Sequence, residues 1–192
     1  SQDSVTIPSK TSFTARLGTE TFNFVTKESI VITTSSNGVF YAKSVVLYEG
    51  GYVTDTFVKN GAVDNQRFVL TNPNIDTSSI EMTVTENSGA DVYEYVQSFS
   101  LYGLSSNSNI FFVQAAENDQ YEVVFGDNTS SRMPLDGAVI EVTYRSCNGE
   151  LPNGADNFIN NSSIDGHSDI SITLNKEAIN GSISCLLYTS PS

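Results

Sequence analysis

The sequence contains no tryptophan, two cysteines, two methionines, one histidine and nine lysines and arginines in 192 residues. Each scarcity excludes something. Two cysteines cannot supply the multiple cross-links of a disulfide-stapled scaffold. Nine bases stand against 22 acids, a net charge of −13, which argues against broad binding to nucleic-acid phosphates or anionic lipid. No apolar run approaches the roughly 20 residues of a helical membrane span. No Walker loop, Gly-x-Gly-x-x-Gly, Cys-x-x-Cys or His-Glu-x-x-His occurs, so the common nucleotide, redox and zinc-hydrolase signatures are missing.

What is present points to β structure. Hydrophobic residues make up 39% and aromatics 10% of the chain, enough for a packed core. Valine and isoleucine total 31 against 10 leucines, and serine, threonine and asparagine together reach 63. β-Branched side chains fit a pleated surface. Serine and asparagine suit turns and compete with helical backbone bonds. The expected class is mainly β, with antiparallel modules, hairpins, long polar loops and little helix.

The pattern predicts a short extended piece at Val5–Pro8, ended by Pro8, short strands at Ser12–Leu17, Thr21–Thr26, Ser29–Thr34, Tyr52–Val58 and Gln66–Leu70, and a long one over Val39–Tyr48. Strands 12–17 and 21–26 read as a hairpin. Asn37-Gly38 and Asn60-Gly61 mark turns. Ser79–Thr85 alternates Ile80, Met82 and Val84 against polar residues, as a half-buried strand does. The stretch 86–109 reads as irregular, with a short helical turn near 92–103. Ile110–Ala115, Tyr121–Phe125 and Ala138–Tyr144 are strands, the last two joined as a hairpin through a turn begun by Gly126 and Asp127. Residues 1–145 form the β-rich region, with an internal break near 86–109. Residues 146–169 read as a linker, and 170–184 as the start of a truncated C-terminal region whose Ile170, Ile172 and Leu174 alternate like a strand. The string Cys185-Leu-Leu-Tyr-Thr-Ser-Pro-Ser192 matches one reading frame of a transposon-end adapter used in sequencing libraries. It is expected to be read-through, and the chain a fragment of a larger protein.

The charge is uneven. Residues 1–70 hold six acids and six bases, and residues 71–192 hold sixteen acids and three bases. This is either solvation of a soluble domain or an acidic face for a basic partner. Catalytic candidates are thin. His167 lies in a polar stretch without a nucleophile-elbow sequence. Asp165, His167 and Asp169 make a weak metal set, and Cys147 reads as a structural thiol.

The stretch Tyr121-Glu-Val-Val-Phe-Gly-Asp-Asn128, followed by Arg132-Met-Pro-Leu-Asp-Gly-Ala-Val-Ile-Glu-Val-Thr-Tyr144, is the most specific. It resembles the pattern Tyr-x-(Val or Ile)-x-Phe-Gly-Asp, then Gly-x-x-Pro-x-x-Gly-x-x-Ile-x-(Val or Leu)-x-Tyr, of contractile-tail baseplate wedge subunits, the baseplate J-like family of phages and related injection machines. Four upstream pieces resemble the T-even-type wedge subunit in order: Ile7–Phe13, Phe22–Ser29, Val45–Gly50 and Arg67–Ser78. The family-motif positions are Tyr121, Phe125, Gly126, Asp127, Pro134, Gly137, Ile140 and Tyr144, all with structural roles. Phe125, Ile140 and Tyr144 are expected in a core, Gly126 and Gly137 at bends, and Pro134 stiffening a loop. Two departures stand out: Lys10 where the family commonly has glycine, and Ser130-Ser131 where it often has glycine.

The resemblance implies a structural virion protein of the tail baseplate, assembled in the bacterial cytoplasm. It would pack against other wedge subunits and copies of itself and rearrange on sheath contraction. No enzymatic activity, cofactor, metal, nucleic acid, membrane or small-molecule substrate is expected. A β-sandwich adhesin or receptor-binding module is the alternative. A tail-associated hydrolase is a third reading, with little sequence support.

Overall fold

The computed structural model describes residues 3–33, 35–37, 39–100, 104–126 and 131–181. It is mainly β. The strands are β1 (Val5–Ile7), β2 (Ser12–Leu17), β3 (Glu20–Val25), β4 (Ile30–Ile32), β5 (Ser35–Ser36), β6 (Val39–Phe40), β7 (Tyr48–Glu49), β8 (Gly51–Val58), β9 (Phe68–Val69), β10 (Ile75–Glu86), β11 (Asp91–Gln97), β12 (Ile110–Ala115), β13 (Tyr121–Phe125), β14 (Val139–Ser146) and β15 (Asn157–Asn160). Among the described residues the one helical element is a 3-10 turn at Asn87–Gly89.

The chain forms two compact units, cut elsewhere than the predicted boundaries. One, the terminal unit, combines Ser1–Gly51 with Cys147–Ser184, and the other, the central unit, is Tyr52–Ser146. In the terminal unit a four-stranded sheet has the order β15-β2-β3-β7, and β1 pairs with β4. The expected hairpin of β2 and β3 forms, with Phe13 opposite Phe24 and Ala15 opposite Phe22. These four residues are buried with Val5, Ile7, Ala155 and Ile164. Alternation makes this core: every second residue of a strand faces it.

The predicted linker 146–169 is a correction. It carries β15, which pairs with β2 from Asn157↔Arg16 to Asn160↔Phe13. Phe158 packs edge-on against Phe24 at 4.9 Å. The polar composition misleads because an edge strand can leave half its residues wet. The predicted Val39–Tyr48 strand is also corrected, to the short β6 and β7. Tyr41 and Val46 are exposed, and alternation without a partner chain makes no ladder. The same holds at 170–174, where no strand forms and Ile172 and Leu174 are exposed.

In the central unit seven strands form one sheet, ordered β8-β14-β10-β11-β12-β13-β9. Its core is the inward face: Ile80, Met82 and Val84 of β10, Tyr95 of β11, Phe111 of β12, Val123 of β13, and Ile140, Val142 and Tyr144 of β14. Burying each large apolar side chain is worth about 1.5–3 kcal/mol. The predicted helical turn near 92–103 is corrected to β11 through Gln97. Valine and tyrosine there fit a strand, and β10 supplies the partner. The predicted break near 86–109 is a turn inside this sheet, made by Asn87, Ser88 and Gly89 at positive φ. One pair, β11 with β12, is parallel.

The predicted hairpin of 121–125 and 138–144 is a further correction. β13 pairs with β12 and β9, and β14 with β10 and β8. The connection after Phe125 therefore crosses the sheet. Asp127 lies outside the described residues, as do Gly38 and the string 185–192.

Lys10 holds φ +62°, the left-handed region that costs a side-chain-bearing residue roughly 1–2 kcal/mol. Around it the backbone bonds Lys10 N–H to Thr26 O at 2.8 Å and Thr26 N–H to Thr11 O at 3.1 Å. Glycine relieves that strain but loses more chain entropy, about 0.5–1 kcal/mol. Lys10→Gly is expected to stabilise the protein by about 0.5–1 kcal/mol. Chemical denaturation measures it, and a loss of stability would refute the strain at this position.

Candidate functional site

Of the eight positions that carry the resemblance, the seven described ones lie on β13, on β14 and on the segment between them. Phe125 ends β13, half-buried, with its ring edge-on to Phe68 at 5.5 Å and to Tyr95 at 5.6 Å. Tyr121 packs partly buried on the same core. Ile140 and Tyr144 are fully buried on β14. Gly126 is required by close approach: a Cβ there would lie 2.0 Å from Ser131 Oγ and 2.9 Å from Ser131 N. Gly137 is left-handed, φ +78°, in the bend that enters β14. Pro134 is buried, so it does more than stiffen a loop.

A buried charge pins this crossing. Glu86 ends β10 with its side chain 1% exposed and pairs with Arg132, whose side chain is 22% exposed. The second Glu86 oxygen accepts from Leu135 N–H at 3.0 Å. Arg132 N–H donates to Ser108 O at 2.9 Å. The Arg132 guanidinium lies 3.8 Å from the centre of the Tyr93 ring, a cation–π contact. Burial pulls the Arg132 pKa down, but Glu86, Tyr95 and Tyr93 outweigh it and the net shift is upward. Burial pushes the Tyr95 phenol up to about 12, against the opposing pull of Arg132.

An open cleft of about 600 Å³ lies against the crossing, lined by residues that include Lys59, Asn107, Arg132, Met133 and Asp136. It presents two cations, a carboxylate and amide groups. Ser106 also lines it.

A second buried carboxylate, Asp55 on β8, is 9% exposed. It accepts from Thr71 N–H and Thr71 Oγ1 at 2.8 Å each, and from Tyr144 OH at 2.7 Å. Burial raises the Tyr144 pKa, opposed by Thr71 and reinforced by Asp55. Two more arginine–carboxylate pairs, Arg67 with Glu122 at 2.6 Å and Arg145 with Asp76, complete the charged framework. The sequence reading missed Glu86 and Asp55, whose partners lie 46 and 16 residues away. The one available signal was Arg132, a base inside the most specific stretch of an acidic chain.

The remaining candidates belong to the terminal unit. His167 is exposed, bridges to Ile164 and lies 6.2 Å from the Phe40 ring. Asp165 accepts from Thr6 N–H at 3.2 Å. Among the described residues, no three His, Cys, Asp or Glu side chains are grouped to hold a metal ion. Cys147 is half-buried, its Sγ 3.5 Å from Glu49 O. No protein-family model and no curated protein matches the chain.

Two outcomes are expected. Removing one partner of the buried pair leaves the other charge exposed to a low dielectric, so Arg132→Ala is expected to cost about 3 kcal/mol in chemical denaturation. A cost under about 1 kcal/mol, the range of a surface pair, would refute the junction. The second concerns acid. Burial would raise the Asp76 and Glu122 pKa values, but bonds from Ser78 and Arg145 to Asp76, and from Arg67 and Gln114 to Glu122, bring both below their ordinary 3.8 and 4.5. Depressed carboxylates contribute stability that is present above those ordinary values and lost as pH falls through the folded ones. Stability is therefore expected to decline below about pH 4.5. Asp76→Asn with Glu122→Gln should flatten that decline in urea titrations run at stepped pH, and an unchanged slope would refute it.

Proposed function

We propose that the protein is a structural subunit of a contractile-tail baseplate wedge, working through protein–protein contacts rather than through catalysis. The observation that carries the reading is the Tyr121–Tyr144 stretch. Its resemblance to the wedge pattern falls on residues that build an architecture: buried Ile140, Pro134 and Tyr144, close-packed Gly126 and left-handed Gly137. A motif of this kind specifies how a chain crosses a sheet, not where a bond is broken.

The charge distribution agrees with a part in an assembly of unlike subunits. Residues 52–146 hold thirteen acids and four bases, and three of those bases are committed to Glu122, Glu86 and Asp76. The outer surface is left acidic, with Glu94 and Glu141 exposed on neighbouring positions of β11 and β14, each opposite Thr83. Such a face favours a basic neighbour and disfavours itself. The adhesin alternative calls for a cluster of exposed aromatics. Among the described residues the large exposed aromatics are Tyr41 and Tyr48 in the terminal unit and Phe99 in the central unit.

The test is genetic and visual. Deleting the coding region from a phage that carries it is expected to leave particles with absent or incomplete baseplates in negative-stain electron microscopy, rescued by the intact gene. Normal baseplates on the deletion phage would overturn the reading. Retained baseplates with lost adsorption to cells would favour the adhesin.

A further inference from the structure

We propose that the line between β8 and β9 is a latch: a seam of the central unit held by side chains, which opens locally while the rest of the sheet stays laddered. The inference rests on the geometry of this unit alone and does not depend on the baseplate reading.

β8 and β9 follow one another in sequence, yet they are the two ends of the seven-stranded order. Consecutive antiparallel strands ordinarily pair as a hairpin. Here side chains take the place of the ladder. Phe57 of β8 meets Phe68 of β9 edge-on at 5.6 Å. Asp55 reaches across to the N–H and hydroxyl of Thr71. Gln66 spans the gap at the other end, donating to Val58 O and accepting from Asn60 N–H, both at 2.8 Å.

The backbone direction shows what the latch covers. Lys59 N–H donates to Ala138 O at 2.9 Å, and Lys59 O accepts from Gly137 N–H at 2.8 Å. Lys59 therefore faces the β14 side. Backbone groups alternate along an antiparallel strand, so Val58, Thr56 and Thr54 turn theirs toward the seam. Val58 O is taken by Gln66, and Thr54 and Thr56 are exposed. Across the seam, β9 is two residues long and pairs with β13 only through Val69 and Phe68, extended by Leu70 N–H to Tyr121 O at 2.8 Å.

Among the described residues, opening this seam breaks the Asp55 and Gln66 bonds, the 3.5 Å contact between the Thr71 and Tyr144 hydroxyls and one ring contact, and no ladder. Every other boundary of the sheet must lose a row of backbone bonds to separate. Regions with few such bonds open at lower free energy than the global transition. Asp55 is the centre of the device because Tyr144 OH, from β14, binds the same carboxylate and holds it aimed across the gap.

Native-state hydrogen exchange on the full chain, read by NMR, tests this. The Thr54 and Thr56 amides are expected to exchange roughly tenfold or more faster than those of Val84 and Val142. The Thr71 amide, which reports the latch bond directly, should fall between them. Asp55→Asn is expected to speed Thr71 exchange by roughly tenfold, the worth of one lost charge-assisted bond, with the Val84 and Val142 amides unchanged. Gln66→Ala, a milder change at a half-buried site, should act the same way at the Asn60 amide, whose N–H Gln66 holds, and it carries the test alone if Asp55→Asn does not fold. Equal protection of seam and central amides in the unmodified protein would overturn the proposal. So would a uniform rise across all amides in the variants.

Discussion

A carboxylate with almost no solvent contact must find its compensation within the protein, and Glu86 is such a group. Its position at the end of β10 fixes where the guanidinium of Arg132 has to be. Arg132 in turn lies on the chain that crosses from β13 to β14. The crossing reaches β14 only after it has been tied to Glu86, to Ser108 and to the Tyr93 face. β14 then enters the middle of the sheet, between β8 and β10, and delivers Ile140, Val142 and Tyr144 to the core. The burial of one charge thus organises how the largest apolar cluster is closed.

The same economy recurs across the central unit. Three arginines serve three carboxylates, each pair joining segments distant in sequence. Asp55 has no cation and is satisfied by three neutral donors instead, a stable solution for a buried acceptor. Lys10, Arg16, Lys27, Lys43 and Lys176 are exposed, whereas the three arginines of the central unit are each committed to a carboxylate.

Much of the fold was legible. β1, β2, β12 and β13 match the pattern because each alternates or clusters apolar residues between turn signals. β10 was legible from Ile80, Met82 and Val84, though its first residues, shifted in register between Asp76 and Glu81, were not. The misreadings share a cause. Val39–Tyr48 and Ile170–Leu174 alternate as well as true strands do, yet most of their length finds no partner. Asn157–Asn160 looks like a polar loop and becomes a strand because β2 has a free edge. Of the candidate site, Arg132 lay inside the stretch that the sequence singles out, but the expected hairpin was not formed, and Glu86 carried no local mark of burial.

The sequence by itself determined the class of structure, the acidic balance and the positions where only glycine or a small residue fits. These follow from local steric preference and from alternation with period two, both properties of a few neighbouring residues. Tertiary structure alone decided which strands are neighbours, which carboxylates are buried, and that β8 and β9 meet through side chains rather than backbone. Those outcomes depend on contacts between residues as far apart as Asp55 and Tyr144. A strand's pattern states which face is apolar and leaves open which other strand will cover its edge.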